Sequence, residues 1–243
     1  MRTVALRGHG LGPHWKGHAF LFDRRVNPVY DAAAGRRLLL VFVVLEAIIG
    51  PRLSLFGWLH LPMPPVWLRV PVLMSTALLL VRFVAKLPLS AIGLHRWSQW
   101  STTEKSYFIQ VVLIANVVFV LVLQDRLRTI VTQPALLAPA LTVFLPYFLW
   151  GFYQETLYRG ILQTELVRRW GAVRGVVVSN VLFTFGPLHF YHFGDPASAA
   201  AMFAGIFAIG LFFVVIFLRS GNLWMVAVFH GIGNCYIDGT QVR

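Results

Sequence analysis

Apolar residues run along this chain in long blocks, divided by short polar or Pro/Gly-rich punctuation. The first block, "LLLVFVVLEAIIG", opens at Leu38 and breaks at Pro51. Further blocks run from about Val66 to Val84 and from about Tyr107 to Leu123. A longer one starts near Pro139 and continues to Arg168 and Arg169. The last three cover about Val173 to His189, Ala197 to Leu218 and Leu223 to Tyr236. Between them, "LHLPMPP", "WGAVRG", "HFGDP" and "RSGN" read as turns, because Gly and Pro interrupt helical hydrogen bonding. A helix of roughly 20 apolar residues crosses the hydrocarbon core of a bilayer. Alternating ten-residue strand patterns are absent from the sequence, which argues against a transmembrane barrel. The pattern predicts an all-α, polytopic transmembrane helix bundle of about seven spans.

Composition agrees. The chain of 243 residues is 58% hydrophobic and 12% charged, with a mean hydropathy of +0.70. Its net charge of +12 would suit nucleic acid, but the basic residues bracket the apolar blocks, which is the topology signal of a membrane protein. Basic residues crowd the segment before Leu38, the stretch holding Arg82, Lys86, Arg96 and Lys105, and the turns at Arg168, Arg169, Arg174 and Arg219. Few fall on the other side. That bias predicts a cytoplasmic N-terminus and an outer C-terminus. Near Met1 there is no short apolar run with a cleavage site, so no cleaved signal peptide is expected. The single cysteine, Cys235, leaves no internal disulfide and no multi-cysteine zinc site. Only three basic residues are Lys, which hints at a GC-rich bacterial source and an inner-membrane location.

Ionisable residues within spans are costly and mark function by default. Glu155, Arg159, His189 and His230 stand out, joined by the neutral Gln154 and Asn234. At the helical rise, Glu155 lies roughly 20 Å from Arg168, His189 roughly 22 Å from Arg174, and His230 roughly 16 Å from Arg219. Three different helices therefore bring polar groups to a similar depth. Glu155 and Arg159 share a helix face at i, i+4, as do His230 and Asn234 in "HGIGN". Gly231 and Gly233 allow a neighbouring helix to approach closely. A carboxylate, two imidazoles and an amide suit water activation together with stabilisation of an oxyanion. Hydrolysis of an acyl bond, most simply a peptide bond, is the expected reaction. Glu46 is the only other carboxylate clearly inside an apolar run, and His192 reads as interfacial.

Three segments resemble the signature of the CAAX-protease and bacteriocin-processing (CPBP, or Abi) family of intramembrane endopeptidases. "QETLYRG" resembles its first motif, two glutamates, three residues and an arginine, except that Gln154 holds the first position. "FGPLH" matches the second with Phe185 and His189, and "HGIGN" the third with His230 and Asn234. The resemblance covers roughly Pro139 to Tyr236. Composition and the apolar blocks give a basic cytoplasmic segment at 1–37 and N-terminal spans at 38–138, and the resemblance implies a CAAX-protease-like core at 139–243 built on the last four spans. The family's first glutamate and its second-motif His activate water, and its third-motif His and Asn stabilise the oxyanion. Carried across, His189 is the base or its partner, His230 and Asn234 form the oxyanion site, Glu155 and Arg159 are an orienting ion pair, Phe185 supports His189 in its motif, and the principal base position falls on Gln154. The partners implied are the lipid bilayer and a membrane-anchored protein or peptide, cut in a C-terminal tail or a leader. A Gln amide cannot take a proton, so the departure at Gln154 leaves several outcomes open. Glu155 takes the base role, Glu46 compensates, His189 works alone, or hydrolysis is lost and the chain is a pseudoprotease that binds a membrane partner. A proton-coupled transporter is a further, distant alternative. No cofactor is expected; zinc on Glu155, His189 and His230 is the alternative.

Overall fold

A computed structural model describes residues 30–49, 64–189 and 196–240 of the chain. The turn "LHLPMPP" up to residue 63, the break at Pro51, His192 and the basic segment before residue 30 lie outside the described residues. The helices are α1 (Ala32–Ile49), α2 (Val66–Leu79), α3 (Thr102–Val122), α4 (Gln124–Thr132), α5 (Pro134–Glu155), α6 (Thr164–Phe185), α7 (Pro196–Ser220) and α8 (Leu223–Ile237). Short π-helical segments extend α2 over Leu80–Val84 and join α5 to α6 over Thr156–Gln163. The expected spans therefore each correspond to helix. The amphipathic α4 is an addition that the block pattern did not predict. Four described stretches are long and apolar enough to cross a bilayer: Val66–Val84, Thr102–Val122, Pro134–His189 and Ser198–Ser220.

Helix is the answer here because a chain in lipid must satisfy its backbone polar groups internally. Pro71, Pro139 and Pro146 all sit inside helices, where packing against neighbours can absorb the missing bond. Apolar side chains on the outside follow from the same solvent: Leu113, Ile114, Val117, Leu121 and Val122 of α3 are all exposed. The core lies inward, where Leu38, Leu45, Leu157, Tyr158, Ile161, Phe183 and Leu223 are buried.

The long stretch from Pro134 folds into two antiparallel legs. Gly171 makes the break, with φ 78° and ψ 171°, a backbone setting that glycine adopts without strain. This is the turn expected from "WGAVRG". Just before it, buried Glu165 gathers the Arg168 Nε and Nη2 donors at 2.6 Å each, the Arg169 guanidinium, and the Tyr30 hydroxyl at 2.9 Å. Burial, and next the Glu165 carboxylate, hold the Tyr30 hydroxyl proton above the usual phenol range. At the same end of the bundle the Leu223 N–H donates to the Gly93 carbonyl at 2.9 Å, and a His95 ring nitrogen meets the Gly221 carbonyl at 3.0 Å.

α8 runs antiparallel to α5. They approach closely at Gly151 and Gly231: a Cβ on Gly151 would lie 2.7 Å from the Gly231 nitrogen. The absence of both side chains lets the two backbones touch. Further along, Cys235 Sγ donates to the Phe144 carbonyl at 3.1 Å, and the Tyr236 hydroxyl donates to Asn116 Oδ1 at 2.9 Å. The Gly151–Gly231 contact brings the polar face of α8 against the end of α5.

Candidate active site

Gln154 and Glu155 are the last residues of α5, and Arg159 lies within the π-helical segment that follows. Such widened turns recur at functional sites in helices. Every residue from Thr156 to Gln163 is buried. Glu155 and Arg159 are both fully buried, and a charge inside a membrane must be paired to persist. Arg159 Nε donates to Glu155 Oε2 at 3.0 Å, as the i, i+4 spacing predicted. The guanidinium also donates through Nη2 to the Gly210 carbonyl of α7 at 3.3 Å. It lies over the Phe183 ring, 4.4 Å from the centroid, a favourable cation–π arrangement.

The other Glu155 oxygen, Oε1, accepts from His230 Nδ1 at 2.8 Å. A carboxylate only accepts, so Nδ1 carries a proton in this contact and Nε2 is the ring nitrogen that does not face Glu155. Phe213 of α7 stacks on the His230 ring, with centroids 5.2 Å apart and planes inclined by 25°. One turn further along α8, Asn234 Nδ2 donates to Gln154 Oε1 at 3.4 Å, a long bond. The neighbours Gln154 and Glu155 thus meet the two polar residues of α8 one turn apart.

His189 arrives from the turn that ends α6. It is 8% exposed, and its Nδ1 lies 2.7 Å from the Phe183 carbonyl. A carbonyl oxygen can only accept, so Nδ1–H donates and Nε2 carries the lone pair of the neutral ring. The Phe183 ring sits edge-on to both imidazoles, 5.0 Å from His189 and 6.2 Å from His230. Glu155 and His230 are bonded directly, and His189 borders the same Phe183 ring. Phe185, the ring of the "FGPLH" segment, instead lies 45% exposed against Phe203 of α7 at 5.1 Å.

Sequence reasoning missed Phe183, Phe213, Tyr158 and Gly210. Nothing in the sequence separates Phe183 from the other phenylalanines among the 20. Tyr158, four residues beyond Gln154, carried a signal that could have been used: a hydroxyl on the same helix face as the motif. It donates to Glu46 Oε1 of α1 at 2.6 Å.

Both Glu155 oxygens are engaged, one by a guanidinium and one by an imidazole, and the residue is sealed from solvent. That suits orientation of His230 better than direct contact with water. The zinc alternative needed Glu155, His189 and His230 to converge. Their bonded atoms point instead to Arg159, the Phe183 carbonyl and each other, and among the described residues no three His, Cys, Asp or Glu side chains form a set that could hold a metal.

Residues 135–236 match the family model described as "Type II CAAX prenyl endopeptidase Rce1-like". The matched segment contains every polar residue of the cluster and excludes α1 to α4. No curated protein and no solved structure matches the chain.

Proposed function

Starting from an Rce1-like domain at residues 135–236, consistent with the CPBP family, in a multi-pass membrane protein, we propose that the chain is an intramembrane endopeptidase. It hydrolyses a peptide bond in the tail or leader of a membrane-anchored protein. The observation that carries this reading is the His230–Glu155 contact at 2.8 Å, beside a second imidazole whose Nε2 is set as a proton acceptor.

His189 Nε2 takes a proton from water as its oxygen attacks the carbonyl carbon. The charge that develops on the carbonyl oxygen meets Asn234 Nδ2 and the Nε2–H of His230, whose positive charge when doubly protonated is balanced by Glu155. The C–N bond then breaks, and the amine leaves with the proton held by His189. Glu155 and Arg159 orient the site. The bilayer, a membrane-anchored substrate that need not be prenylated, and no cofactor complete the proposal. Its setting is a bacterial inner membrane with the N-terminus in the cytoplasm, which reporter fusions at each terminus would test.

The experiment is cleavage of internally quenched CAAX-tail peptides, farnesylated and unmodified, by purified protein in liposomes. Wild type should cut, while His189→Ala and Glu155→Gln should not. Gln154 favours one second reading, a pseudoprotease that binds its partner without cutting. Cleavage that appears only in Gln154→Glu would establish that reading and remove the first.

A further inference from the structure

Neither member of the Gln154–Glu155 pair offers a free carboxylate oxygen: position 154 is an amide, and both oxygens of Glu155 are occupied. A carboxylate with an oxygen to spare is bonded to Tyr158, on the segment that follows Gln154 and Glu155. Glu46, on α1, is 7% exposed. Its Oε1 accepts from the Tyr158 hydroxyl at 2.6 Å, and its buried Oε2 has no hydrogen-bond partner. Buried, unpartnered polar atoms are rare and call for a water or ligand.

Its surroundings point towards His189. The Leu188 backbone amide faces the Glu46 carboxylate without closing to bonding geometry with Oε2. Leu188 immediately precedes His189. The Tyr158 hydroxyl lies against Gly186, where an added Cβ would come within 3.0 Å of it. Gly186 in turn accepts the His189 backbone N–H at 3.0 Å. Glu46 and Tyr158 therefore buttress the turn that presents His189. The Tyr158 ring packs edge-on against Phe183 at 5.3 Å, the same ring that borders both imidazoles. The Tyr153 hydroxyl, next to Gln154 in sequence, is also buried without a partner.

We propose that Glu46 supplies, from α1, the carboxylate that Gln154 cannot, with Oε2 accepting a hydrogen bond from the water that His189 deprotonates. The water's second hydrogen is held by Glu46 and its first passes to His189, so the proton balance of hydrolysis is unchanged. Glu46 lies outside the matched segment 135–236, so α1 completes a site that the family-like domain carries only in part. This inference rests on the endopeptidase reading.

The test is steady-state cleavage of a farnesylated, internally quenched CAAX-tail peptide and its unmodified twin in liposomes. The variants are Glu46→Gln, Gln154→Glu and the two combined. Glu46→Gln should lower kcat by about a hundredfold or more, as loss of a group that acts on the water does, with KM changed less than about threefold. Adding Gln154→Glu should restore kcat to within about tenfold of wild type, because either position then offers a carboxylate. A purely structural Glu46 would not be rescued from position 154. Should Glu46→Gln fail to fold by size exclusion, Glu46→Asp keeps the charge on a shorter arm and should show the same kcat loss and rescue. Full activity in Glu46→Gln, or a loss that Gln154→Glu does not repair, overturns the inference and leaves the endopeptidase reading standing. A wild type that cuts neither peptide overturns both.

Discussion

His230 on α8 donates through Nδ1 to Glu155 Oε1 at the end of α5 across 2.8 Å, while Arg159 Nε holds the other Glu155 oxygen at 3.0 Å. Glu155 thus joins a guanidinium on its own chain segment to an imidazole on α8. Its two oxygens separate the two contacts, and so can mutants.

Glu155→Gln should cost both stability and activity. It leaves the Arg159 charge buried without its partner, a loss of about 3–5 kcal/mol for pairs broken from one side. The double variant Glu155→Gln with Arg159→Met should recover much of that loss in a thermal unfolding scan in detergent. Cleavage should stay down, because His230 is still without its carboxylate. Recovery of cleavage in the double variant would contradict an orienting role for Glu155.

His189 is expected to behave differently. Replacement by Ala removes the hydrogen bond to the Phe183 carbonyl at 2.7 Å, and loss of that bond should destabilise by about 1 kcal/mol. The rate should fall by about a hundred- to ten-thousand-fold, the usual span for a general base. Comparing the melting midpoint with kcat for the same preparation checks the separation.

The glycine contact between α5 and α8 sets where His230 stands. Gly151→Ala places a methyl group 2.7 Å from the Gly231 nitrogen, and backbone cannot move aside as a side-chain tip can. Overpacking of this kind should destabilise by about 1–3 kcal/mol. The His230–Glu155 contact should lengthen with it, so kcat and melting midpoint should fall together. Gly233→Ala, whose Cβ would meet only the Phe119 ring at 3.5 Å, should be tolerated on both measures.

At the bundle end that holds Gly171, Glu165→Ala should release Tyr30, Arg168 and Arg169 together. Amides of residues 30–37 should then exchange faster with deuterium, while those around Glu155 keep their protection. Equal acceleration in both regions would mean that this ion cluster supports the whole core.

The sequence by itself determined the class and the neighbourhood. Long apolar blocks force helices because lipid offers backbone groups no partner, and helical spacing put Glu155 with Arg159 and His230 with Asn234 on shared faces. The rise per residue brought His189 and His230 to the depth of Glu155. Glycines in "HGIGN" announced a close helix contact, and Gly231 makes it while Gly233 does not. What only the tertiary structure decided is which atoms meet. Phe183 rather than Phe185 is the central ring, because the turn after α6 carries His189 back onto it. Glu155 turns both oxygens inward to Arg159 and His230, a matter of rotamer and register that periodicity does not carry. Glu46 and Tyr158, 112 positions apart in the chain, meet at 2.6 Å because α1 packs against the widened turn after α5, and no local pattern records a contact between helices so far apart in sequence.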